Sequence, residues 1–366
     1  MRILFLDQFS EPGGAQRCLR DVMRDCLRRD WRAFFMAPGE GDMFDFCNDV
    51  GIPSFRIPLG PYRSGSKTVS DTFRYAADAV RAAAAIRRAV REHAIDLAYV
   101  NGPRVLPAAS AAPAPLIFHA HSLPDKSYAR RISGLAARRA LVIAAAQSVA
   151  RAYPAARVIY NGVEDLGYLP RPIAGRTLKV GIIGRISPEK GHSHFIRAAR
   201  ALPEVRFIVF GAALFSNSEY ERQIRAEAAG TSVEFRGWTS NITEALYEID
   251  ILAVPSSSVE VTPRVIMEAF SAGTPVVAHP VGGIPELVRP LETGLLTKDL
   301  AAGIQTLFAD PDLMSRCSRK GRQEWSRRFR LERFQTDIAN LIANIGAKER
   351  GHSKAPAAIA GKHNRA

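Results

Sequence analysis

The sequence predicts an α/β protein built from two doubly wound parallel-sheet domains that face a central cleft. Three observations lead there. Short apolar runs alternate with amphipathic helical stretches along the chain, the pattern of parallel strands covered on both faces. The alternation pauses at a Pro/Gly-rich linker, residues 167–176, and then restarts. A length of 366 residues suits two domains of ordinary size.

Residues 2–7 form the first strand, which ends in the loop Ser10-Glu11-Pro12-Gly13-Gly14. The next helix places Leu19, Val22, Met23, Cys26 and Leu27 on one side and Arg17, Arg20, Arg24 and Arg28 on the other. Asp21 and Asp25 interleave with these arginines, as on a salt-bridged surface. A glycine pair at such a turn lets a ligand approach the backbone and meet helix amides; a plain tight turn is the alternative. Further strands are expected at residues 31–37, 53–57, 96–100, 116–121, 141–146 and 157–160. Residues 60–70 read as a mobile polar loop. They precede a long Ala-rich helix over about 72–93 with Arg74, Arg81, Arg87, Arg88 and Arg91. A second basic helix carries Arg130, Arg131, Arg138 and Arg139. In the second half strands are expected at residues 179–183, 205–210, 233–235, 249–254 and 275–278, and a terminal helix at about 331–345. From residue 347 the composition suggests a disordered basic tail.

Composition narrows the function classes. With 47% hydrophobic and 23% charged residues, the chain can bury proper cores. No leader is expected at the N-terminus, because the apolar run there is too short. The richest apolar stretch, residues 132–150, is broken by Arg138-Arg139, so no membrane span is expected. Cys18, Cys26, Cys47 and Cys317 have no metal or redox spacing and read as buried thiols of a reducing cytoplasm. The net charge is +14, with +7 in each half and +4 in the tail alone. Aromatics do not interleave with the arginines as a nucleic-acid stacking surface requires. Basic helices in one half instead suggest a face resting on anionic lipid.

Chemistry concentrates in Pro255 to Gly283. An apolar strand ends there, and a helix starts at Thr262-Pro263, with Thr as N-cap and Pro in the first helical position. Glu268 lies inside that helix in an apolar setting, costly unless paired, and Glu260 stands at its mouth. Carboxylates suit hydroxyl groups and a helix N-terminus suits an anion, so a nucleotide sugar fits both. Gly184-Arg185-Ile186-Ser187-Pro188-Glu189-Lys190-Gly191 follows another strand, and its two cations suit a diphosphate. His119 and His121 share one face of a strand end, either as structural histidines or as a site. Asp310-Pro311-Asp312 has the spacing of a metal-binding carboxylate pair but reads as a turn.

Glu260-x7-Glu268, with Ala-Phe-Ser-Ala-Gly-Thr-Pro and Gly282-Gly283-Ile284-Pro285-Glu286, resembles the donor-site signature of retaining GT-B glycosyltransferases, most of all family four. The resemblance implies Rossmann-like domains at residues 1–166 (acceptor side) and 177–327 (donor side). It also implies a helix over 328–346 returning to the first domain. It places Gly13, Gly14, Gly184, Arg185, Lys190, Glu260, Val261, Thr262, Pro263 and Glu268 at the donor, Glu268 on the ribose and Glu260 on the sugar. His121, Arg185, Lys190 and Glu260 take the catalytic roles. It implies no cofactor and no metal, a UDP- or GDP-sugar donor, and a glycan or lipid-linked acceptor. Arg264 departs from the small or apolar residue often found there and suits phosphate, acceptor or solvent. A nucleotide-sugar epimerase, a nucleic-acid binder and an inactive partner subunit are the alternatives.

Overall fold

The chain folds into two parallel sheets, each flanked by helices. The computed structural model describes residues 1–11, 13–60, 69–124, 126–169, 177–213, 218–258 and 260–352. Most of the expected 60–70 loop, most of the linker and the tail beyond residue 352 lie outside the described residues.

The first sheet holds β1 (Arg2–Asp7), β2 (Arg32–Ala37), β3 (Ser54–Arg56), β4 (Leu97–Asn101), β5 (Leu116–Ala120), β6 (Ala140–Ala144) and β7 (Arg157–Val158), ordered 3-2-1-4-5-6-7. Its helices are α1 (Gly14–Arg28), α2 (Asp42–Asp49), α3 (Val69–Glu92), α4 (Leu106–Ala109), α5 (Ser127–Ala137) and α6 (Gln147–Ala150). The second sheet holds β8 (Lys179–Ile183), β9 (Arg206–Phe210), β10 (Val233–Gly237), β11 (Ile251–Val254), β12 (Val276–Ala278) and β13 (Gly294–Leu296), ordered 10-9-8-11-12-13. With it go α7 (His192–Ala201), α8 (Ser218–Glu227), α9 (Ile242–Glu248), α10 (Arg264–Ala272), α11 (Ile284–Leu287), α12 (Leu300–Ala309) and α13 (Pro311–Glu324). A π turn, Trp325–Phe329, leads into α14 (Leu331–His352), which runs past the residue-346 boundary read from composition. The short elements α2, α6 and β13 were not expected, since eight residues or fewer show no periodicity.

Side chains alternate across a strand, so each sheet feeds two cores. Leu4, Leu6, Val100 and Phe118 pack with Ile86 of α3 and Leu106 of α4. On the other face Phe5, Phe35, Tyr99 and Ile117 pack with Leu19, Val22 and Met23 of α1 and with Phe334, Ile338 and Ile342 of α14. At about 1.5–3 kcal/mol per buried side chain of this kind, those last three residues hold α14 to the first domain by several kcal/mol. In the second domain Val180, Phe207 and Val209 meet Phe195 of α7 and Ile304 of α12. Ile208, Leu252 and Val254 meet Ile266 and Phe270 of α10, with Trp325 and Phe329.

The chain crosses between domains twice, and the two crossings pair with each other. Val163 N donates to Phe329 O at 2.9 Å and Leu331 N to Val163 O at 3.0 Å. A second tie comes from Glu286 on α11. Its carboxylate accepts from Gln147 N (2.7 Å), Ser148 N (2.8 Å) and Tyr160 OH (3.0 Å) of the first domain.

The four cysteines are buried and unpaired. Asp310 caps α13 by accepting from Leu313 N at 2.9 Å, which accounts for the Asp-Pro-Asp spacing. Among the described residues no helix is long and apolar enough to cross a membrane.

Candidate active site

The second-domain side of the cleft is built where the loops after β8 and β11 press together. Gly191 follows a short 3-10 turn, Pro188–Lys190, and adopts a left-handed φ of 76°. A Cβ there would sit 1.9 Å from the carbonyl oxygen of Pro255, so only glycine lets the two loops meet. Ser257 N and Oγ close the contact by donating to Glu189 O and Pro188 O, each at 3.0 Å. The result carries Lys190 Nζ to 3.0 and 2.9 Å from the two carboxylate oxygens of Glu260. Ser256 Oγ donates to the same carboxylate at 3.2 Å. Arg185 lies beside Glu189, 3.6 Å away.

The Gly282-Gly283 pair forms the support under Glu260. Gly283 N donates to Glu260 O at 2.7 Å. A Cβ on Gly282 or Gly283 would lie 1.9 Å from the carbonyl oxygen of Glu260 or Val261. The pair therefore fixes the height of the Glu260 loop by backbone contact.

Helix α10 begins one residue later than expected. Pro263 is the N-cap, without a side-chain cap bond, and Thr262 stands outside the helix. The proline has an extended ψ of 113°, which leaves Thr262 Oγ1 turned to accept from Asn161 Nδ2 of the first domain at 3.2 Å. Glu268 is buried, as its apolar surroundings require, with Oε1 3.7 Å from Arg264 Nε.

Arg264 lines the cleft as well, but its side chain is mostly buried and turned to the first domain. It donates to Asp21 Oδ2 at 3.0 Å and Cys18 Sγ at 3.2 Å, both on α1. Burial opposes its charge, but Cys18, Asp21 and Glu268 hold the guanidinium protonated. The salt-bridged surface expected on α1 holds for Asp25, which pairs with Arg28 at 3.3 Å and Arg29 at 2.7 Å, and is corrected for Asp21. Asp21 and Asp25 are buried, and Asp21 serves the second domain because helical period 3.6 turns it toward α10.

On the first-domain side of the cleft, β1, β4 and β5 end side by side. Asp7 accepts from Asn101 Nδ2 (2.6 Å), Gln16 Nε2 (3.0 Å) and Phe9 N (3.0 Å), and burial pushes its carboxyl up to about 7. Asn101 Oδ1 lies 2.8 Å from His121 Nε2. Burial, then the charge of Arg264, lowers His121 to about 3, so the ring is neutral. His119 packs against it with ring centroids 3.9 Å apart and planes tilted by 39°. It is fully buried, with Nδ1 2.7 Å from Tyr99 OH, and does not face the cleft.

One cleft of about 340 Å³ collects the candidates. Gly13, Gly14 and His121 line it from the first domain, and Gly184, Arg185, Lys190, Glu260, Val261, Thr262, Pro263 and Glu268 from the second. Residues not singled out from the sequence also line it, among them Asn161, Trp238 and Thr239. Trp238 follows β10 and is 43% exposed; a tryptophan after a Gly at a strand end was the available signal.

Residues 13–170 match the model of the glycosyl transferase 4-like domain, and residues 171–324 that of glycosyl transferases group 1. Among solved structures, Anabaena HepE in complex with UDP is 28% identical, with a TM-score of 0.80 over 94% of this chain and 100% of that one. Its complex with UDP-glucose gives 0.79 over the same shares. A D-inositol 3-phosphate glycosyltransferase of Segniliparus rotundus is 34% identical over 191 residues, 48% of this chain and 41% of that protein. An exopolysaccharide phosphotransferase of Streptomyces coelicolor is 32% identical over 194 residues, 50% of this chain and 20% of that protein. The chain thus spans less than half the length of these curated relatives. With its two halves matched in tandem and the two-sheet architecture shared along nearly its whole length, the chain belongs to the group 1, family-four-like glycosyltransferases of GT-B fold.

Proposed function

We propose that the protein is a retaining hexosyltransferase using a UDP- or GDP-sugar as donor. The observation that carries this reading is the convergence, on one cleft, of groups suited to pyrophosphate, ribose and sugar. Arg185, Lys190 and the first-turn amides of α10 take the diphosphate. An ammonium has three donors; Lys190 gives two to Glu260 and keeps one for a phosphate oxygen. Glu268 takes the ribose hydroxyls and Glu260 the sugar hydroxyls, while the exposed Trp238 ring offers a platform for the base. These fixed positive groups stand in for a divalent ion, and preorganised charge of this kind is usually the largest catalytic contribution.

In the reaction the C1–O bond to the donor phosphate breaks with oxocarbenium character. The acceptor oxygen bonds C1 on the same face, and its proton passes to the leaving phosphate oxygen. His121, Gly13 and Gly14 line the acceptor side. A glycan or lipid-linked glycan of cell-surface polysaccharide or lipopolysaccharide synthesis suits this side. Helix α5 exposes Tyr128, Ile132 and Leu135 beside Arg130, Arg131, Arg138 and Arg139, a face fitted to anionic headgroups at the inner side of the cytoplasmic membrane.

The test is a thermal-shift panel of UDP-, GDP- and ADP-sugars. A donor at a hundred times its dissociation constant adds about 2.7 kcal/mol of stability. Glu268→Ala abolishes the shift while the free protein still melts cooperatively near the parent temperature. Absence of a shift with every nucleotide sugar overturns the reading; a variant that unfolds makes the carboxylate structural.

A further inference from the structure

The row Asp7–Asn101–His121 links a fully buried carboxylate to the cleft through one amide. Asp7 and Asn101 are 0% and 1% exposed and sit opposite each other in the β1–β4 register. Asn101 Nδ2 lies 2.6 Å from Asp7 Oδ2 and 3.4 Å from Ala15 O. Both neighbours are acceptors, so the amide nitrogen must occupy that side. The remaining groups on the Asp7 carboxylate, Gln16 Nε2 and Phe9 N, are also donors. The amide oxygen is thereby forced toward His121, 2.8 Å from Nε2. An oxygen without a proton can only accept, so Nε2 carries the hydrogen. The ring is neutral, so its other nitrogen, Nδ1, bears a lone pair.

We propose that Asp7 and Asn101 are positioning residues that hold His121 as its Nε2–H tautomer, presenting Nδ1 as an acceptor to a hydroxyl of the bound sugar. The proposal rests on the reading above in placing the sugar beside His121. A neutral acceptor suits the position: an imidazolium would repel positive charge developing at C1, whereas a lone pair orients a hydroxyl without opposing it. His119, with Nδ1 2.7 Å from Tyr99 OH, packs against the His121 ring at a centroid distance of 3.9 Å and a tilt of 39°, which limits rotation of that ring.

The experiment uses the full chain, 15N-labelled, at pH 8, with two-bond 15N–1H spectra and His121 assigned by loss of its signals in His121→Gln. The wild type should show the Nε2–H pattern. Asp7→Asn and Asn101→Ala should each show a tautomer mixture, and their kcat should fall about tenfold, the worth of one neutral hydrogen bond, with donor KM changed less. Binding of UDP-glucose or GDP-mannose, whichever gives a thermal shift, should move the Nδ1 resonance, while the nucleoside diphosphate alone should not. An Nδ1–H wild type, an unchanged tautomer in both variants, or an Nδ1 resonance indifferent to a bound sugar nucleotide overturns the proposal. If Asn101→Ala does not fold, the wild-type spectrum and Asp7→Asn still decide. If neither sugar nucleotide binds, the donor reading fails separately, and the tautomer spectra still judge the row.

Discussion

Arg264 of α10 and Asp21 of α1 join the two domains by an ion pair of 3.0 Å whose side chains are 13% and 10% exposed. Burial raises the Asp21 carboxyl despite the arginine beside it, so the pair exists against a desolvation cost. Breaking one side of such a pair leaves the other charge buried and alone, typically worth about 3–5 kcal/mol. Asp21→Ala should lower the unfolding free energy in urea by an amount of that order. Arg264→Met should cost at least as much, because it leaves both Asp21 and Glu268 buried without their cation. A loss under about 1 kcal/mol in either variant would place the pair among ordinary exposed ones.

Lys190 faces Glu260 and the cleft at once. Lys190→Met removes a preorganised cation and should reduce kcat/KM for the donor by about 2–4 kcal/mol, roughly 30- to 1,000-fold. Steady-state sugar transfer measures it. A change under about threefold would make the lysine a structural partner of Glu260.

Metal removal is the complementary test. With Arg185, Lys190 and the α10 terminus as the positive groups, transfer should proceed at an unchanged rate in EDTA. A requirement for added manganese would show that an ion shares their work.

Gly283 separates steric fit from backbone conformation. Its φ of −93° is ordinary for any residue, yet a Cβ would lie 1.9 Å from Val261 O. Gly283→Ala should push the Glu260 loop outward and cost on the order of 1–3 kcal/mol of stability, with donor KM rising. A variant with parental melting temperature and KM would mean the loop yields freely.

Asp7 gives a pH signature. Its folded value is about 7, raised by burial from 3.8. Between those values the native state binds more protons than the unfolded chain. The contribution of Asp7 is therefore fully present below about pH 4 and is lost as pH rises to about 7. Asp7→Asn lacks this dependence. The stability of the wild type relative to the variant should fall by a few kcal/mol from pH 4 to 8. His121, depressed to about 3, weakens both proteins alike toward acid and cancels in the difference. Parallel stability curves would show that Asp7 stays ionised throughout.

The fold could be read from the chain because parallel strands buried on both faces leave unbroken apolar runs, and β1, β4 and β8 all lie within two residues of their expected bounds. The second-domain loops that line the cleft were equally legible, since Gly184-Arg185, Lys190-Gly191 and Glu260-x7-Glu268 each lie within one strand–turn–helix unit. Short elements such as α6 and β13 were not, having too few residues for a period to register.

What local order could not convey is which distant groups meet. Arg264 looked free along the sequence, and Asp21 looked like part of a surface, but the crossing of two domains buries them against each other across 243 positions. Asp7, Asn101 and His121 stand 94 and 20 residues apart and become neighbours only because β4 inserts between β1 and β5. Strand composition specifies that a residue is buried, whereas strand order specifies what it is buried beside, and the chemistry of a charged group follows from the second.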